Sequence, residues 1–228
     1  MFASNNSTRT PQFFSKKLAG MNIHAAPADV LTSTTVTVAH LKQQFPDGGR
    51  IFIVGEAGLR AQLEAAGYEV TQTTDGEPQS VIAVVAGLAR EFSYADLARA
   101  QHYILDGATF IATNRDATFP VEGGVLPGAG AIVAALETAS GTVPQTMGKP
   151  EPTMLRQILD ESGLQTDEVV MVGDRLDTDI ACAHRAGIGS VWVATGVVTR
   201  EQAQSAQGEE QPDVLLDDLA ELARWLEA

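Results

Sequence analysis

The chain has 228 residues, 44% hydrophobic and 19% charged, enough for one large domain or two modest ones that bury about 70 to 75% of the unfolded surface. Its 15 Lys+Arg against 29 Asp+Glu give a net charge of −14, which argues against a nucleic-acid partner and requires any phosphate site to be made locally positive by a metal, a lysine or a helix N-terminus. The single cysteine, Cys182, excludes an internal disulfide framework; no apolar run approaches the roughly 18 residues of a membrane span and the N-terminus lacks a signal pattern, so the expected location is cytoplasmic, with no membrane partner.

In chain order, a very short apolar segment runs straight into Ser4, Asn5, Asn6, Ser7 and Thr8. Thr10 followed by Pro11 predicts a helix start, with the cap oxygen at Thr10 and Gly20 closing the helix. Hydroxyl, amide and backbone N–H groups converging on a helix N-terminus make an anion site, while a loop of Asx and Ser turns is the commoner use of such residues. A helical segment after Pro27, a short strand at Val30 to Ser33 and a helix from Thr34 to Phe45 follow, and Pro46-Asp47-Gly48-Gly49 breaks the chain.

From Arg50 the rhythm is strand, helix, strand, with IFIVG, a helix from about Leu59 to Ala66 closed by Gly67, and YEVT. After a polar loop at Thr73 to Ser80 come VIAVVAG, a helix opened by a Ser93/Asp96 capping box, and TFIAT ending at Thr113. Gly55 and Gly58 do not make a dinucleotide fingerprint, because the third glycine and the distal acidic residue are missing. Asn114, Arg115 and Asp116 lie at a strand end, and the Gly-rich Pro127 to Gly130 starts a helix to about Ala139. Lys149, in GKPEP, sits between a strand and a helix that ends at Gly163. It is either an ordinary solvated charge or the cation that holds a phosphate.

The apolar run at Val169 stops in Gly173 and three closely spaced carboxylates, Asp174, Asp177 and Asp179. A run of Val and Met suits a parallel strand covered on both faces, and ligands bind beyond the carboxyl ends of such strands. Like charges so close need a cation or a solvated turn, and hard oxygen ligands suggest Mg²⁺; a polar turn that caps the next helix is the plain alternative. A helix through Ala183 and Ala186, the strand SVWVA, a loop at Thr195 and Gly196, a strand at Val214 to Leu216 and an amphipathic helix from Leu219 to Leu226 complete the chain. Cys182 is expected to pack within a helix. The four histidines form no ligand spacing.

The ordered set FASNNSTRT, IFIVGEAGL, IATNRDATFP, PGAGAI, GKPEP, MVGDRLDTDI and the TGV at Thr195 to Val197 resembles the haloacid dehalogenase superfamily of phosphatases. The likeness is to the branch with a large α/β cap that includes nitrophenylphosphatase, phosphoglycolate phosphatase and pyridoxal phosphate phosphatase-like enzymes. It covers essentially the whole chain. The resemblance implies an α/β fold: a doubly wound, Rossmann-like parallel-sheet core from 1–45 and 144–228, with an α/β cap domain inserted at 46–143. It implies a hydrolase that uses Mg²⁺ and an aspartyl-phosphate route on a small phosphorylated metabolite. Caps of this type often pair, which implies a homodimer through the cap.

By the same resemblance, Ser4 is the hydroxyl that hydrogen-bonds the transferring phosphoryl group, with Asn5 and Asn6 beside it. Lys149 offsets the charge between nucleophile and phosphate, Asp174 ligates Mg²⁺, and Asp179 is the second acidic residue of the metal motif, holding the metal's water shell. Asp177 is left as a loop or cap residue. Asn114, Arg115 and Asp116 match the cap loop that reaches the leaving group, where Arg115 reads a negative charge.

One departure stands out. Family members begin with a strand ending in Asp-x-Asp-Gly, whose first Asp is the nucleophile and whose second is general acid and base; this sequence has no such motif. The expectation is therefore a phosphatase whose N-terminus as written is incomplete, lacking a core strand between those leading to Ser4 and Asp174, and inactive for want of the nucleophile. The alternative is a pseudo-enzyme that binds a phosphorylated ligand or a protein partner without catalysis.

Overall fold

A computed structural model describes residues 1–196 and 198–227, so Val197 of the TGV motif lies outside the described residues. The chain forms two compact units, Met1–Gly148 and Lys149–Ala228. Among the described residues no helix is long and apolar enough to cross a membrane.

The first unit opens with β1 (Phe2–Ser4), followed by α1 (Pro11–Ala19) and, after a 3₁₀ turn at Pro27–Asp29, by β2 (Val30–Thr32), which pairs parallel to β1. Thr10 occupies the N-cap of α1 as expected, but its side chain makes no capping hydrogen bond. The helix is set by Pro11 and by Thr10 O, which accepts from Phe13 N at 3.0 Å. In α2 (Ser33–Gln44) the Thr32 hydroxyl does accept, from Thr35 N at 3.2 Å.

Next come β3 (Arg50–Val54), α3 (Ala57–Ala65), β4 (Glu69–Thr71) and β5 (Ala83–Ala86). They are followed by α4 (Tyr94–Leu105), β6 (Thr109–Ala112), the hairpin β7 (Thr118–Val121) and β8 (Gly124–Pro127), α5 (Ala129–Ser140) and β9 (Gln145–Thr146). Strands β4-β3-β5-β6-β9 make an all-parallel, 5-stranded sheet. The near-continuous apolar runs of β3 and β5 are what a strand buried on both faces requires. One face carries Phe52, Val54, Val84, Ala86, Phe110 and Ala112, packed against Ala100, Tyr103 and Ile104 of α4 and Ile132, Val133 and Leu136 of α5. Alternation turns Ile51, Ile53, Val85 and Ile111 to the other face, where they are equally buried. The expected capping box is in place, with Ser93 N donating to Asp96 Oδ2 at 2.8 Å and Asp96 N to Ser93 Oγ at 3.3 Å.

The antiparallel β7–β8 hairpin is an element that strand-and-helix periodicity did not announce, since Thr118–Val121 and Gly124–Pro127 are too short and too exposed to show a buried face. Residues 1–45 also belong to the same compact unit as 46–148, a grouping that differs from the expected union of 1–45 with 144–228. Contacts that reach across the expected boundary are Thr35 Oγ1 donating to Gln62 Oε1 of α3 at 3.3 Å and Asn114 Nδ2 donating to Asn5 O at 2.8 Å.

In the second unit, α6 (Thr153–Ser162) leads to β10 (Val170–Gly173), a five-residue π-type turn at Leu176–Ile180, α7 (Ala181–Ala186), β11 (Gly189–Val193), α8 (Arg200–Ser205), β12 (Val214–Leu216) and α9 (Leu219–Leu226). β10-β11-β12 form a parallel, 3-stranded sheet. Its core joins Val191, Val193 and Leu216 to Val170, Val172, Val214 and Leu222. β10 departs from the reading of a strand covered on both faces: it is the edge strand of this sheet and its residues are half-buried.

Phe52 is fully buried, with its ring centroid 5.2 Å from that of Tyr103. Phe52→Ala is expected to cost about 3 to 5 kcal/mol in chemical denaturation, whereas Leu219→Ala, on a residue 60% exposed, should stay within about 0.5 kcal/mol.

Candidate active site

Each compact unit contributes a cluster of the residues singled out in the sequence. In the first, Ser4 ends β1 and its Oγ accepts from Asn6 N at 3.2 Å. Asn6 Oδ1 in turn accepts from Thr8 N at 3.0 Å, Thr8 Oγ1 at 3.3 Å and Arg9 N at 2.9 Å. Asn6 therefore plays the commoner Asx-turn role, tying the loop to itself. Asn5 reaches outward: its Nδ2 donates to Asp116 Oδ1 at 3.0 Å, and its carbonyl accepts from Asn114 Nδ2 at 2.8 Å and Ser33 Oγ at 2.9 Å. Asp116 N closes the ring by donating to Asn114 Oδ1 at 3.1 Å. The strand-end loop after β6 and the loop after β1 are thus one hydrogen-bonded assembly. Arg115 is not part of this ring; it turns to α5 and pairs with Glu137 at 2.6 Å.

In the second unit, Lys149 Nζ donates to Asp179 Oδ1 at 2.6 Å, with side chains only 9% and 8% exposed. That burial excludes the reading of Lys149 as an ordinary solvated charge. The Lys149–Pro150 peptide is cis. Asp179 Oδ2 accepts from Arg175 N at 3.2 Å, so both oxygens of this carboxylate are engaged. The π-type turn sends the three acidic residues different ways. Asp179 points inward, Asp177 faces solvent in an ion pair with Arg175 at 2.7 Å, and Asp174 is half-buried with no partner recorded for its carboxylate among the described residues. Such one-turn π insertions recur at functional sites.

Two glycines make the room. A Cβ at Gly196 would fall 1.8 Å from Asp174 Oδ2, and one at Gly173 would fall 2.3 Å from Asp179 Cβ. Neither was read as a site residue from sequence. The available signal was a glycine at a strand end beside an acidic turn, and its steric meaning appears only when the facing carboxylate is placed. Trp192, likewise missed, donates from Nε1 to Asp174 O at 3.0 Å.

Mg²⁺ is commonly bound by one or two carboxylates with its remaining positions filled by water and substrate phosphate. Asp174 fits that role, since its oxygens lack a protein partner among the described residues and lie in space kept open by Gly196. Asp179, satisfied by Lys149 and a backbone N–H, fits a role beside the metal's water rather than as a direct ligand. No group of three His, Cys, Asp or Glu gathers into a metal cluster among the described residues. Cys182, beneath this turn, is buried and its Sγ donates to Glu151 O at 3.3 Å. Burial first, with the Asp179 and Glu151 carboxylates reinforcing it, pushes the thiol up to about 12, so it is neutral at physiological pH.

Two outcomes follow from this geometry. Asp179→Asn removes one partner of a buried pair and should cost about 3 to 5 kcal/mol in urea denaturation, while Lys149→Met combined with Asp179→Leu should cost clearly less than the sum of the single changes. Cys182 should resist iodoacetamide in the folded chain from pH 7 to 9 and alkylate readily in denaturant, as read by mass spectrometry.

Comparison with known proteins places the chain. Residues 1–69 match the haloacid dehalogenase-like hydrolase family model and residues 146–222 the HAD-hydrolase-like model. An acid sugar phosphatase of Staphylococcus aureus is 39% identical over 205 residues, 90% of this chain and 77% of that protein. Among solved structures, a glycerol phosphate phosphatase of Mycobacterium tuberculosis in complex with magnesium has a TM-score of 0.87 and 36% identity, covering 97% of this chain and 66% of that one. A p-nitrophenyl phosphatase from Archaeoglobus fulgidus has a TM-score of 0.88 and 31% identity, covering 99% and 85%. The chain thus spans about 66% of the length of the mycobacterial enzyme and more of the others. With this ordered likeness along its length and the parallel α/β sheets described above, the chain belongs to the haloacid dehalogenase-like hydrolases, in the branch of phosphatases that hydrolyse phosphoric monoesters.

Proposed function

We propose that these residues make the phosphate- and Mg²⁺-binding parts of a phosphatase centre for small phosphorylated metabolites, with 1–45 and 144–228 as its core and 46–143 as the cap. The buried Lys149–Asp179 pair, together with the Asp174 carboxylate, which has no protein partner among the described residues, carries the reading. A chain with a net charge of −14 has no general attraction for phosphate esters. A lysine held in a dry setting by a carboxylate supplies local positive charge at a fixed point.

In this reading Lys149 offsets the charge of the bound phosphoryl group and Ser4 donates its hydroxyl to a phosphoryl oxygen. The main-chain groups of Asn5 and Asn6 border the same loop, with the Asn6 side chain keeping it in shape. Magnesium, held by Asp174 with Asp179 toward its water, would supply charge neutralisation to the phosphoryl oxygens. Asn114 and Asp116, tied to Asn5, position the cap loop against the Ser4 loop. Arg115, released from Glu137, provides a cation for an acidic leaving group. Names of the relatives, acid sugar phosphatase and glycerol phosphate phosphatase, support a sugar or polyol phosphate as the substrate class. The exposed Val121, Val125 and Leu126 of the β7–β8 hairpin support a homodimer through the cap.

Within the 228 residues there is no Asp-x-Asp-Gly, and a second reading, a phosphate-binding pseudo-enzyme, uses the same residues to bind without turnover. Calorimetry should detect Mg²⁺ binding that Asp174→Asn abolishes, and inorganic phosphate binding that Lys149→Ala weakens at least tenfold, about 1.4 kcal/mol. Measured against p-nitrophenyl phosphate with Mg²⁺, turnover that disappears in Asp174→Asn would instead show that a nucleophile is present. Absence of both binding events would overturn the site.

A further inference from the structure

Trp192 stands on β11 directly opposite Gly173, one residue before the acidic turn begins. It is fully buried, and its indole touches that turn in two ways. The N–H donates to the main-chain carbonyl of Asp174 at 3.0 Å, and the ring packs with Leu176 and Ile180, the two apolar ends of the π-type segment, together with Ala203. The first contact holds the peptide that carries Asp174; the second holds the segment that carries Asp179. A buried indole N–H needs some acceptor, and any carbonyl would satisfy it. Here the acceptor is the carbonyl of the one turn carboxylate without a protein partner among the described residues.

We infer that Trp192 is a positioning residue for the Mg²⁺ site, fixing the main chain at Asp174 so that its carboxylate stays aimed past Gly196. This rests on the reading of Asp174 as the metal ligand. Without the indole N–H, the Asp174 peptide loses the side-chain donor that holds its carbonyl, and the carboxylate gains freedom that metal binding must then remove. Partners that orient a ligand from behind typically matter about 10- to 100-fold in metal affinity.

The full chain has two tryptophans, hence two indole signals in a ¹H–¹⁵N spectrum, and titration with Mg²⁺ alone should move that of Trp192 saturably while Trp225, 41% exposed on α9, stays in place. Two variants remove the donor: Trp192→Phe, and replacement of Trp192 by 3-benzothienylalanine, which keeps the ring shape should the phenylalanine variant fold poorly. Both should raise the Mg²⁺ dissociation constant, measured by calorimetry, about tenfold. Wild-type affinity in the benzothienyl variant, or a Trp192 signal that stays fixed while Mg²⁺ binds, overturns the positioning role alone. A wild-type chain that does not bind Mg²⁺, or binding that survives Asp174→Asn, overturns the metal reading and the role of Trp192 with it.

Discussion

The buried pair between Lys149 and Asp179 is the constraint on which the second unit's chemistry rests. A lysine side chain only 9% exposed on a strongly acidic chain is stable only against a carboxylate at hydrogen-bonding distance, and the pair pays for its desolvation only with good geometry and further hydrogen bonds. Asp179 has both: Lys149 on one oxygen and the Arg175 N–H on the other. The crowding of three acidic residues within six positions is relieved in part by the cations of Lys149, paired with Asp179, and Arg175, paired with Asp177. Asp177 turns to solvent and Arg175, Asp179 turns inward to Lys149, and the half-buried Asp174 carboxylate has no protein partner among the described residues.

The local backbone makes this division possible. A regular α-helical start after Gly173 would set Asp174, Asp177 and the residues after them on one repeating surface, whereas the wider π-type turn changes the rotation at Leu176–Ile180 and buries Thr178 and Asp179 while leaving Asp177 outside. Gly173 and Gly196 then admit carboxylates where any side chain would collide. In the first unit the equivalent organisation comes from amides. Asn6 spends its oxygen on its own loop and Asn5 spends its side chain and carbonyl on Asp116 and Asn114. The two carboxamides therefore define the shape of the Ser4 loop more than its charge.

Much of this was legible from residues alone because it depends on local chemistry. Alternating and continuous apolar runs located β3, β4, β5 and β6 of the 5-stranded sheet but not the two-residue, polar β9, Ser93 and Asp96 marked the start of α4, and Pro11 and Gly20 bounded α1. The ordered motifs from FASNNSTRT to MVGDRLDTDI pointed to the family that the relatives then established. Less legible were the β7–β8 hairpin and α8, short elements with little buried surface. The Thr10 hydroxyl illustrates a related gap: composition put a capping residue in the right place, but whether its oxygen accepts depends on a rotamer and a loop that are not local in sequence.

What the sequence determined by itself was therefore the inventory: which strands end in polar loops, that Asp174, Asp179 and Lys149 lie at such ends, and that Asp-x-Asp-Gly is not among its motifs. The tertiary structure decided which of those groups are spent on one another. Lys149 and Asp179 are 30 positions apart, Asn5 and Asp116 are 111 apart, and Trp192 meets Asp174 across two paired strands. Hydrogen bonds and ion pairs are short-ranged and directional, so whether a carboxylate is satisfied or left open to a metal is set by neighbours that only folding brings within 3 Å of it.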